Sequence, residues 1–132
     1  MKPLLSFLWL CALVCFSAVG TTSRAADPEA LGTPAGSIAV PANLTAAEVQ
    51  EALIKAADGR GWILVARDDE RVVVRLDKND WSARVTMLYT TRDVQFFSNS
   101  TRKGKPKLPE GWIKNLKDDS IRIMSTTSVL KT

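Results

Sequence analysis

At Gly61 the spacing of apolar residues changes from a helical repeat to strict alternation, and that switch leaves few architectures open. Before it, Val49, Ala52, Leu53 and Ala56 recur at three- and four-residue intervals, the stripe of one helix face. After it, apolar residues occupy every second position in Val72, Val74 and Leu76, in Ala83, Val85, Met87 and Tyr89, and in Val94 and Phe96. Alternation of this kind gives a sheet one face to bury, and a helix stripe is the surface that covers it.

The helix is well bounded. Thr45-Ala46-Ala47-Glu48 has the form of a capping box, with Leu44 and Val49 placed as a hydrophobic staple. Asp58-Gly59 supplies a stop, so the spacing predicts a helix over residues 46–57. Four strands are expected next. Residues 62–67 put Trp62, Leu64 and Ala66 inward, and the acidic turn Asp68-Asp69-Glu70 ends them. Residues 71–76 turn Arg71 and Arg75 outward, and 81–89 do the same with Arg84 and Thr86; residues 94–98 form the fourth strand. A hairpin centred on Lys78-Asn79 pairs Val74 with Ala83 and Val72 with Val85, while a loop at 68–70 sets Leu64 opposite Val74 and Ala66 opposite Val72. Trp112, Ile113, Leu116 and Ile123 are spaced for a second helix. The expected fold is α+β, a four-stranded antiparallel meander with an N-terminal and a C-terminal helix packed on one face, in the order α-β-β-β-β-α.

Outside that core, residues 26–43 read as a flexible leader, spaced by Pro28, Pro34 and Pro41. Within it only Ile38-Ala39-Val40 suits an edge strand. The domain is expected over 44–124, followed by a polar tail over 125–132. Residues 1–25 read as a secretory signal peptide: Lys2 gives a positive start, residues 4–19 are apolar but for Ser6 and Ser17, and Ser23 and Ala25 are the small residues before a cleavage site. The expected location is periplasmic or secreted, with no transmembrane span after cleavage. Leu10 precedes Cys11 and Val14 precedes Cys15, neither being the small residue a lipidation site requires. Removal of 25 of the 132 residues takes both cysteines with it and lowers the formal charge from +4 to +2, since Lys2 and Arg24 go too. The chain has no histidine, so imidazole bases, Ser-His-Asp triads and His-containing zinc sites are ruled out. A mature chain without cysteine has no disulfide framework and no thiol nucleophile.

Gly61-Trp62 opening the first strand, Ser82-Ala83-Arg84-Val85 in the third and the closing Trp112-Ile113-Lys114-Asn115-Leu116 are together similar to a family of small exported bacterial proteins and lipoproteins of undetermined function. The resemblance covers residues 45–123 and implies this fold and an envelope location; it implies no activity. Many members carry a lipobox cysteine, and histidines or tyrosines near the third strand and before the closing helix. Here Ser82 and Pro109-Glu110-Gly111 stand at the latter places.

Three groups of residues suggest chemistry. Carboxylates gather at turns, in Asp68-Asp69-Glu70 and in Asp77 and Asp80, with Asp118-Asp119 late in the second helix; turn formation is their ordinary role. Trp62, Trp81 and Trp112 begin elements and suit core ends or a stacking platform for a sugar or base. The densest local bias is the basic run Arg102, Lys103, Lys105, Lys107, and the outward sheet face adds Arg75 and Arg84 beside Val73, Leu88 and Phe97. Apolar residues framed by arginines fit a contact surface. The leading expectation is a non-enzymatic binding module without cofactor, metal or nucleic-acid partner. It would take an envelope protein or anionic envelope component on Arg75, Arg84, Leu88, Phe97, Arg102, Lys103, Lys105 and Lys107, or dimerise through that face. The alternatives are a small hydrolase in which Asp69, Asp77 or Asp80 converges with Arg75, or a structural component of an envelope assembly.

Overall fold

The computed structural model describes residues 31–132; the expected signal peptide with Cys11 and Cys15, and residues 26–30 of the expected leader, lie outside the described residues. Helix α1 (Ala46–Asp58) starts on the capping box. Thr45 Oγ1 accepts from the Glu48 amide at 3.2 Å, and Glu48 Oε1 accepts from the Thr45 amide at 2.9 Å. Its end is a Schellman motif whose left-handed residue is Gly61 (φ 85°), not Gly59 (φ −63°). The Gly61 amide donates to the Asp58 carbonyl at 3.1 Å and the Trp62 amide to that of Ala57 at 3.0 Å, which satisfies the last turn and turns the chain into a strand.

Seven antiparallel strands follow or flank it: β1 (Thr33–Ala39), β2 (Ile63–Arg67), β3 (Arg71–Lys78), β4 (Trp81–Tyr89), β5 (Asp93–Ser98), β6 (Thr101–Arg102) and β7 (Lys105–Pro106), with helix α2 (Glu110–Leu130) last. The spatial order is β1-β5-β4-β3-β2, with β6 on β4 and β7 on β6. The α+β class and the antiparallel meander β2 to β5 are as expected, but the sheet has seven strands where four were expected. The extra ones come from segments poor in large apolar residues. β1 occupies much of the segment read as a leader, pairing Ile38 with Val94 and Thr33 with Ser98. β6 continues β5 in register along β4 after a break at residues 99 and 100.

Two registers differ from expectation. Lys78 pairs with Trp81, Leu76 with Ala83 and Val74 with Val85, so the turn is the two residues Asn79-Asp80, with Asn79 at φ 57°. The slip is two residues, and side chains keep their faces. Leu64 does face Val74, but an irregularity between Leu64 and Ala66 sets Ala66 against Val73 instead of Val72.

Leu53 of α1, Val72, Val74, Val85, Met87, Val94 and Phe96 of the sheet, and Leu116 and Met124 of α2 form one core. Strand β2 departs from the expected inward burial: all its residues are exposed, Leu64 at 41%, because an outermost strand has a neighbour on one side only. The expected polar tail is also corrected. Helix α2 runs on to Leu130, with Met124 fully buried. Thr126 and Thr127 donate their hydroxyls to the carbonyls of Arg122 and Ile123, so polar residues sit in the helix without opposing it.

Candidate binding surface

The ladder places Pro34, Phe97, Thr86, Val73 and Ala66 in one row across the sheet face turned away from the core. Beside this row Arg75 of β3 stands directly opposite Arg84 of β4, and on its other side Leu88 lies between Arg71 and Gln95. Phe97 and Leu88 are half-buried, whereas Val73 and Thr86, expected as outward surface, are buried at 4% and 6% exposure. Like charges directly opposite on a sheet repel. Neither arginine has a carboxylate partner among the described residues.

The basic run is not an open loop. Residues 101–106 fold into a tight hairpin in which Arg102 pairs with Lys105 and Thr101 with Pro106. Its two turn residues, Lys103 (φ 53°) and Gly104 (φ 78°), both take positive φ, the pattern of a type I′ turn. The Lys103 amide donates to the Asp80 carbonyl at 2.9 Å and anchors the hairpin to the β3–β4 turn. Ser82 of β4 pairs with Thr101, two residues from Arg84, about 7 Å at the strand rise. Arg102 and its partner Lys105 share the helix-side face of Trp81, while Arg75 and Arg84 stand on the outer face, so the cations flank one corner of the sheet from both sides. Arg102, Lys103, Lys105 and Lys107 are exposed and without ion pairs among the described residues.

The same corner gathers three tryptophans from elements far apart in sequence. Trp112 at the start of α2 lies edge-on to Trp62 at 6.2 Å and tilted against Trp81 at 5.5 Å, and the Arg102 guanidinium sits 5.7 Å above the Trp81 ring. Trp62 is buried; Trp81 and Trp112 keep part of their surface. A cleft of about 330 Å³ opens beside them, lined by Arg60, Trp62, Leu76, Lys78, Trp112 and Asn115. Each tryptophan was legible as the start of an element; their convergence was not, because each contact spans tens of residues.

The carboxylates do not assemble. Asp68 Oδ1 accepts the amides of Glu70 at 2.9 Å and Arg71 at 3.0 Å. The Glu70 amide first, then the Arg71 amide and its nearby charge, hold this carboxyl below the usual carboxylate range. Asp69, Asp77 and Asp80 are exposed in different turns or strand ends, Asp77 opposite Ser82. In α2, Asp118 takes Lys114 at 2.7 Å, and Asp119 takes Arg60 through two bonds of 2.7 and 3.3 Å. That Arg60 fork is the main cause of the lowered Asp119 pKa. Among the described residues no three His, Cys, Asp or Glu side chains are grouped to hold a metal ion, and none of the described helices is long and apolar enough to cross a membrane.

No protein-family model matches the chain, and no curated protein matches it.

Proposed function

We propose that this chain is a non-enzymatic binding module of the cell envelope that takes an anionic partner on the Arg75–Arg84 face and the adjoining 101–106 hairpin. One observation carries the reading: two arginines are held directly opposite each other, near a tight hairpin of further cations, with no carboxylate in ion-pair contact with any of them among the described residues. Mutual repulsion at such a place is relieved by a polyanion. The hairpin adds preorganisation, since cations on a fixed turn lose less freedom on binding than cations on a loose loop. The resemblance to exported envelope proteins and the signal-peptide reading of residues 1–25 support the exterior of a cell as the setting. Anionic lipid headgroups and acidic polymers are the polyanions available there.

The half-buried Phe97 and Leu88 add contact area beside the charges. The test is flotation of the chain with phosphatidylglycerol vesicles and titration with polyglutamate, each across a salt series. Each cation near an anionic surface is worth about 1 kcal/mol, so the Arg75→Gln/Arg84→Gln double variant is expected to bind about thirtyfold more weakly at unchanged melting temperature. Undiminished binding by that variant, or no binding to either polyanion at low salt, removes the reading.

A further inference from the structure

From the geometry at the opposite edge of the sheet we infer that β2 is a pairing edge for a second copy of this chain, joined antiparallel across a two-fold axis perpendicular to the sheet. Strand β2 ends the order β1-β5-β4-β3-β2, and no described strand pairs with its outer side. All of its residues are exposed, and Ile63, Leu64 and Val65 stand 55%, 41% and 41% open to solvent. Three consecutive apolar residues on a free strand edge form a pairing template. Its only blunting devices are Arg67 at one end and the irregularity between Leu64 and Ala66.

Between this edge and α1 lies a groove of about 290 Å³ lined by Ile54, Ala57, Trp62, Leu64 and Val74, with Lys55 and Asp58 at its margin. A strand added to β2 places its inward side chains along this groove. A second copy is the occupant that the charges select. The strand is followed by Asp68-Asp69-Glu70 and preceded by Arg60, whose side chain stays 47% exposed while paired with Asp119 of its own copy. Antiparallel self-pairing brings the acidic turn of each copy to the Arg60 end of the other, whereas parallel pairing stacks acid on acid. A perpendicular two-fold axis keeps both copies' helices on one side, so Ile54 of each copy faces the other's groove. The Arg75–Arg84 faces then lie on one continuous surface, since Ile63 of β2 is the direct neighbour of Arg75.

The experiment is light scattering coupled to size exclusion over a concentration series, with cysteine cross-linking along β2 in a Cys11→Ser/Cys15→Ser background. The wild-type chain is expected to have twice the protomer mass. Ile63→Lys and Val65→Lys are each expected to weaken the dimer by more than about tenfold while leaving the protomer folded, as judged by its melting temperature at concentrations where wild type is also monomeric, because both sites are solvent-exposed in the protomer. Leu130→Lys, exposed and far along α2, is the control and leaves the dimer intact. Cross-linking is expected to peak near Val65 and vanish at Arg67, as antiparallel pairing about a two-fold axis requires. A monomer at all concentrations, a dimer insensitive to both lysines, cross-links of equal yield at every β2 position, or a dimer lost instead on Phe97→Lys would each overturn the inference. None of these results depends on polyanion binding.

Discussion

Lys131 Nζ lies 2.7 Å from Glu48 Oε1, so the residue just past the end of α2 meets the capping box that begins α1. The pair closes on its neighbours: Lys131 also donates to the Asn43 carbonyl, and the Ser128 hydroxyl donates to Asn43 Oδ1 at 2.6 Å. The two helices are therefore tied at this end by polar contacts and along their length by the core they share with the sheet.

This contact makes a pH prediction. Glu48 is held below its ordinary value of 4.5, first by the hydrogen bond from Lys131 and then by the Thr45 amide. A carboxyl lowered by folding contributes stability that is complete above its unfolded pKa and is lost as pH falls through the folded value. Lys131→Met is expected to lower stability slightly at neutral pH, as for other surface pairs. The gap from wild type should close in strong acid, where Glu48 is protonated in both proteins. Urea denaturation at about pH 7 and about pH 2 measures it. A gap unchanged in acid would show that the side chain acts by packing and not by charge.

The second prediction concerns the part of α2 that the polar composition concealed. Met124 is fully buried although it stands at the margin of residues read as tail. Met124→Ala is expected to cost about 2–5 kcal/mol, the range for a large-to-small change in a packed core. Removal of residues 125–132 should cost less, since only polar contacts and half-buried side chains go with them. Thermal melts of both variants rank the two, and a truncation as costly as the core change would mean that the last turns do more than tie the helix ends together.

Much of the fold was legible, and what was not has a physical cause. The capping box is a four-residue relationship and was visible in Thr45 and Glu48. Inward positions such as Val85, Met87 and Phe96 follow from alternation, and because a two-residue slip preserves alternation, the faces were right where the β3–β4 register was not. Thr33 to Ser37 carry no large apolar residue, and their strand exists only because β5 offers an edge. The basic residues of the site were visible as composition. The Arg75–Arg84 opposition was not drawn from the sequence, because it depends on a turn of two residues at Asn79-Asp80. The gathering of Trp62, Trp81, Trp112 and Arg102 depends on where α2 begins relative to the sheet, which no local pattern encodes.

A third prediction follows from how closely β1 approaches β5. Gly32 has a φ of 94°, and a β-carbon there would stand 2.3 Å from the Ser98 carbonyl oxygen. That oxygen belongs to backbone, so the clash is relieved only by parting the strands. Gly32→Ala is expected to cost about 1–3 kcal/mol, the scale of a strained left-handed residue. Hydrogen exchange should show faster exchange in β1, with β3 and α1 unchanged. Full protection throughout β1 would show that the chain accommodates the methyl group without releasing the edge.

The fourth prediction has the opposite sign. Ser120 is fully buried in α2, and its hydroxyl has no hydrogen-bond partner. A buried hydroxyl without a partner has lost its water and gained nothing in exchange. Ser120→Ala removes the oxygen, leaves a residue of higher helix propensity and creates only a small void. It is expected to raise stability by about 1 kcal/mol, the lower end of the desolvation cost of such a group. Ser120→Leu tests the space at the same position. Side chains added to a well-packed interior force their neighbours aside, and a loss of about 1–3 kcal/mol is expected. Urea denaturation of the two variants separates polarity from volume. A destabilised alanine variant would mean that the hydroxyl is satisfied in solution, with the carbonyl of Leu116 one turn back as the acceptor within reach of a helical serine.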